Sequence, residues 1–166
     1  DSGRVAGAAP IAAPPAGAPA RPSAEWASLP SAPEVRLPPD LILTMRGGDG
    51  GGDAFLKVFG EAIAPYRDGR FAEAAAALAP VAERYSDVAE TWFYLGTARL
   101  FSGAPAEAIE PLRRARGSEV VGDDARGLQI VALERAGREN EARGELHALC
   151  AERGNYRDRA CAIVER

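Results

Sequence analysis

The chain is poor in the residues that do chemistry. His147 is the only histidine, Lys57 the only lysine and Met45 the only methionine, and there are two cysteines among 166 residues. No serine or cysteine stands at a spacing from a base that implies a nucleophile and its partner, so no enzymatic activity and no catalytic residue is expected. Cys150, Cys161 and His147 lack a fourth ligand and a close cysteine pair, which argues against zinc. The glycines from Gly47 to Gly52 around Asp49 lack the Gly-Lys-Ser or Gly-Lys-Thr ending of a phosphate loop. They also stand alone, where glycine-aspartate calcium turns need stacked copies. A joint is the expectation there, and no cofactor or metal is expected anywhere. No stretch approaches the roughly 18 apolar residues of a membrane span. The net charge of −4 is spread without a basic patch, which excludes a nucleic-acid footprint.

What the chain does have is a period. Gly69, Glu73, Ala74 and Leu78 recur 34 residues later as Gly103, Glu107, Ala108 and Leu112, and again as Gly137, Glu141, Ala142 and Leu146. Each glycine suits the left-handed residue that ends a helix, and each Glu-Ala pair suits the first turns of the next. Each leucine continues an apolar stripe at helical spacing, joined by Val81, Ala115 and Leu149. Units of this kind cannot bury their apolar faces alone and must stack.

In the middle copy, Trp92, Leu95, Gly96, Ala98, Gly103, Ala108 and Leu112 resemble the tetratricopeptide repeat (TPR) family, over about residues 54–152. The outer copies depart from that pattern. Val58 and Arg126 replace the tryptophan, Glu61 and Gln129 the leucine, and Ile130 fills a place where glycine allows the closest approach. Ser86 and Val120 stand where the family usually has proline. The resemblance implies an all-α, TPR-like α-solenoid of three helical hairpins, at about 55–88, 89–122 and 123–156, with a C-terminal capping helix at 156–165. Helices are expected near 54–68, 71–85, 88–102, 105–116, 123–136, 139–152 and 156–165. Pro65 is expected to bend or shorten the first of these. Asp87 with Glu90 forms a capping-box-like start, Pro105 fits a first turn, and Asp123 is a candidate cap.

Residues 1–53 form a separate Pro/Ala/Gly-rich tail before the repeat domain at 54–166. Such composition builds no core of its own. Two apolar islands, Trp26 with Leu29 and Leu41-Ile42-Leu43 with Met45, look like docking segments, and the second is also long enough to add as a strand. The tail is expected to be held by contact, either on its own repeats or on a partner. Because the chain begins at Asp1, removal of a signal peptide or of a membrane anchor upstream is expected.

Cys150 and Cys161 lie at nearly equal distances on either side of the Gly154-Asn155-Tyr156 turn, so a helical hairpin brings them level. Two readings stand: a disulfide, which persists in an oxidising compartment such as the periplasm, or two small buried hydrophobes.

By the TPR resemblance, the first helix of each unit lines the concave face. Phe59, Ile63, Tyr66, Phe93, Tyr94, Thr97 and Phe101, with Leu100 and Val131, are then candidates for a partner-binding groove or its support. Members that grip a terminal carboxylate use lysine, arginine and asparagine where this chain has Phe59, Ile63, Phe93 and Thr97, which argues against that activity. The expected ligand is an apolar peptide or helix. The expected function is a non-catalytic protein–protein interaction scaffold. It is read as an accessory subunit that docks through its tail and repeats onto a larger bacterial membrane-associated complex, respiratory or photosynthetic for example. The expected partners are protein subunits, with no small-molecule substrate, and with membrane association only through a partner or a missing N-terminal anchor. An alternative follows from a narrower likeness. The tail together with Trp92-Phe93-Tyr94-Leu95-Gly96, Asp123-Asp124-Ala125-Arg126 and Cys150 with Cys161 resembles the extracytoplasmic region of bacterial anti-sigma-like membrane proteins, which implies a sensor or effector half of a membrane-anchored regulator.

Overall fold

The computed structural model of the chain describes residues 31–37, 51–152 and 156–165. Beyond the short N-terminal segment these form seven helices: α1 (Gly51–Arg67), α2 (Phe71–Arg84), α3 (Ala89–Phe101), α4 (Pro105–Ala115), α5 (Gly122–Arg135), α6 (Glu139–Ala151) and α7 (Arg157–Val164). No strand occurs among the described residues, and the fold is all-α. No helix among them is long and apolar enough to cross a membrane.

Two kinds of helix alternate. In α2, Ala74, Leu78, Val81 and Ala82 are buried; in α4, Ala108, Ile109, Leu112 and Ala115; in α6, Ala142, Leu146 and Leu149. That spacing is one apolar stripe on an otherwise polar helix, the pattern of an element with a single packed face. By contrast, α3 is buried continuously from Glu90 to Ala98, and α5 from Gly127 to Leu133. A helix buried on all sides must have neighbours on all sides. Each helix packs on its successor, and in addition α1 touches α3 and α3 touches α5. No such contact joins α2 to α4 or α4 to α6. Helices α1, α3 and α5 therefore stand closer together and form the inner layer, against which α2, α4 and α6 lay their stripes.

The turns repeat as the helices do. Gly69, Gly103 and Gly137 are the described residues with positive φ, at 74°, 90° and 75°. At each, the glycine N–H reaches the carbonyl three residues back and the next N–H the carbonyl five back: Arg70 to Pro65 at 2.8 Å, Ala104 to Arg99 at 2.9 Å, Arg138 to Leu133 at 2.8 Å. This is the Schellman ending, in which a left-handed residue satisfies the last carbonyls of a helix; a side chain there would strain the backbone.

Several local expectations are corrected. Helix α1 begins at Gly51, inside the stretch assigned to the tail, with Asp53 in its first turn facing the helix dipole. Pro65 does not shorten α1, which runs on to Arg67, and its carbonyl serves the Schellman turn. Asp87 and Asp123 are not caps. The N-cap residues are Val88 and Val121, neither with a side-chain cap bond, and Asp123 lies inside the first turn of α5. In place of a cap, Ser118 organises the turn before α5. Its hydroxyl donates to Glu90 Oε1 at 2.6 Å and accepts from the N–H groups of Val120 and Val121, both at 3.1 Å, which leaves the buried Glu90 partnered.

Candidate peptide-binding groove

Aromatic rings run along the inner layer. Phe55 stacks on Phe59, Phe59 approaches Tyr94, and Tyr94 meets both Phe93 and Tyr66 edge-on at 5.1 and 5.4 Å. The chain of rings continues through Phe71 to Phe101. Among the groove candidates, Phe59, Ile63, Phe93 and Thr97 are at most 2% exposed, and the Thr97 hydroxyl bonds the Phe93 carbonyl. These four support the surface from beneath. Trp92 packs between helices, donating Nε1–H to Ser86 O at 3.0 Å under the Arg114 guanidinium.

Tyr66 and Tyr94 differ in sending a polar tip out of the core. Both tips meet the same partner, the chain's own segment 31–37. The Tyr66 hydroxyl donates to Pro33 O at 2.9 Å. The Tyr94 hydroxyl accepts from the Arg36 N–H at 2.5 Å and donates to the Arg36 carbonyl at 2.8 Å. The Arg36 guanidinium reaches Asp124 on α5, also at 2.5 Å. Thus the segment touches α1, α3 and α5 in turn, and most of its polar contacts go to main-chain atoms. Exposure along it alternates: Pro33, Val35 and Leu37 are half-buried while Glu34 and Arg36 are exposed. That alternation is the signature of extended chain with one face down.

Burial raises the Tyr94 hydroxyl, and burial followed by the nearby Tyr94 raises that of Tyr66, above the ordinary tyrosine range. Both remain protonated donors at any neutral pH. Asp124 is held from its other side by the Tyr156 hydroxyl at 2.6 Å. Burial first, then this bond, pushes Tyr156 up to about 12.

Beside Pro33 the groove is underfilled. A cavity of about 170 Å³ is lined by Pro33, Asp124, Gly127, Leu128, Val131, Tyr156 and Arg159. Its cause is legible in the repeat register, because Gly127 stands where the first two copies carry Phe59 and Phe93. A ring is missing from the third copy, and the space remains.

Sequence reasoning placed tail docking at Trp26, Leu29, Leu41, Ile42, Leu43 and Met45, all outside the described residues. It passed over 33–37, whose strict apolar–polar alternation was the available signal. Asp124 and Gly127 were also missed as groove residues. At the far end of the fold, Cys150 and Cys161 form a disulfide between α6 and α7. Glu165 lies close to them, but bonded cysteines offer no thiolate to a metal. Compared with known protein families, with curated proteins and with solved structures, the chain matches none of them.

Proposed function

We propose that this chain is a non-catalytic protein–protein interaction scaffold, a TPR-like α-solenoid whose inner layer binds an extended segment of a partner protein. The observation that carries this reading is the seating of residues 33–37 on Tyr66, Tyr94 and Asp124. Two hydroxyls that hold main-chain atoms, a floor of aromatic rings and one carboxylate for a basic side chain make up a surface suited to extended peptide. In this reading the partner is a subunit of a larger membrane-associated bacterial assembly. The Cys150–Cys161 bond supports an oxidising compartment such as the periplasm, where disulfides persist.

The test is cross-linking in the native host. A photoreactive residue at position 159, on the rim of the cavity, is expected to capture a stoichiometric partner during purification in mild detergent. The same residue at position 76, exposed on α2, is expected to capture none. Equal capture at both positions, or a clean monomer from both, overturns the proposal.

A further inference from the structure

The resident segment fits its groove incompletely, and the misfit says what would fit better. We infer that the groove selects an extended segment carrying a large apolar residue and, three positions later, an arginine, and that residues 33–37 are a placeholder which such a segment displaces. The inference rests on the peptide-binding reading proposed above.

Three observations carry it. The tyrosine hydroxyls meet the segment at main-chain atoms, those of Pro33, Glu34 and Arg36, so they fix the path of a peptide without choosing its side chains. Choice then falls on what the side chains meet. At Arg36 they meet Asp124, whose orientation is set by Tyr156 from behind, so a basic residue is favoured there and an acidic one repelled. At Pro33 they meet the cavity of about 170 Å³ floored by Leu128 and Val131, which the small pyrrolidine ring borders and does not occupy. A phenylalanine or leucine side chain at that place gains burial that proline cannot supply. A placeholder must also be easily lost. The Arg36–Asp124 pair is half exposed, with Arg36 at 51%, and pairs of that kind hold weakly. Val35 and Leu37 pack against the core, and the tether adds an effective concentration on the order of millimolar that a separate peptide does not share.

The experiment uses the full chain and labelled heptapeptides read by fluorescence anisotropy. One peptide copies residues 31–37, a second carries Pro33→Phe and a third Arg36→Glu. The full chain is compared with its Arg36→Pro variant, in which the resident segment loses both the N–H that meets Tyr94 and the guanidinium that meets Asp124. Val35→Asp serves as a second way of unseating it, and circular dichroism checks that helix content is unchanged. Expected are at least tenfold tighter binding of the copied peptide to Arg36→Pro than to the native chain, and a further gain of about tenfold for the Pro33→Phe peptide. The Arg36→Glu peptide is expected to bind at least tenfold more weakly. Introducing Gly127→Leu should erase the preference for phenylalanine while the copied peptide still binds.

A Pro33→Phe peptide that binds no better than the copy, or an Arg36→Glu peptide that binds as well, overturns the selectivity and leaves the peptide-binding reading standing. Equal affinity for native and Arg36→Pro chains overturns the placeholder, again without touching that reading. If no peptide binds either chain, the inference falls, and the cross-linking result alone then decides whether the broader reading falls with it.

Discussion

The hairpin of α3 and α4 and the hairpin of α5 and α6 are built on one template, yet among the described successive helices the first pair is the most closely packed and the second the loosest. One register position accounts for much of the difference. Gly96 in the middle pair lets Leu112 come so near that a Cβ on residue 96 would lie 2.6 Å from its Cγ and 3.0 Å from its backbone nitrogen. The same position is Ala62 in the first pair, of intermediate closeness, and Ile130 in the third. Spacing between the paired helices thus follows the size of a single side chain, as close packing requires. A neighbouring position compounds it. Trp92 fills the middle interface with an aromatic ring, whereas Arg126 in its place pairs with Glu145 and Glu152.

The largest expected effect comes from erasing this difference. Gly96→Ile places the third pair's residue in the middle pair, forces Leu112 and its backbone aside, and is expected to destabilise the chain by about 3 kcal/mol in urea unfolding. A cost below about 1 kcal/mol would mean that α4 moves freely away from α3 and that the glycine does not set their spacing.

The repeat explains how much of this was legible. Gly69, Gly103 and Gly137 announce the helix ends because only left-handed geometry closes the turn, and that demand is local. The buried stripes of α2, α4 and α6 follow from periodicity for the same reason. Helices α3 and α5 were harder, since burial on every side leaves no polar face to read. The groove was the least legible part. Phe93 looks like an anchor in sequence, but only packing reveals that it lies wholly within the core while the hydroxyl of Tyr94 beside it meets the segment 31–37. Gly127 signals the cavity only when set against Phe59 and Phe93 in register.

If α5 and α6 pack loosely, something else must hold the end of the molecule, and the disulfide is the evident candidate. The bond closes a loop between Cys150 and Cys161 that ties α7 to α6. Its removal by Cys150→Ser with Cys161→Ser is expected to cost about 2–3 kcal/mol by loop entropy. The comparison sharpens in hydrogen exchange, where the loss should speed the amides of α6 and α7 and leave those of α3 and α4 at their original rates. Uniform acceleration would show that the two pairs unfold as one unit.

Salt offers a milder probe. Arg116 and Arg126 both face Glu145, at 2.6 and 3.9 Å, and Arg126 also pairs with Glu152. The middle interface is centred on Trp92 and Leu112 and carries the longer, more exposed pair of Arg99 with Glu107 at 3.8 Å. Raising sodium chloride to 1 M weakens the arginine cluster more than the apolar contacts, so amides of α5 and α6 should lose roughly 0.5 kcal/mol of protection relative to α3 and α4. Equal changes in both pairs would assign the arginine cluster no role in holding the third.

The smallest effect is a matter of pH. Glu134 occupies in the third pair the place of Leu100 in the middle pair, with one carboxylate oxygen buried and without a hydrogen-bond partner. Burial, and then the charge of Glu139, raises its carboxyl above the ordinary value of 4.5. A group that binds its proton more tightly in the folded chain contributes stability below the unfolded value, and that contribution is lost as pH rises through the folded one. Glu110, Glu141 and Glu152 are lowered by their arginines and act in the opposite sense as pH falls, so the difference between variant and native chain is the useful quantity. Glu134→Gln carries no charge to desolvate. It should match the native chain near pH 4 and become more stable as pH rises toward 7, by about 0.5 kcal/mol. Glu134→Leu, which restores the residue of the middle pair, should exceed it at both pH values because it also removes the unpartnered oxygen. A native chain whose stability relative to Glu134→Gln does not change between pH 4 and 7 would show that water reaches this carboxylate, and that the third pair is open where α5 turns into α6.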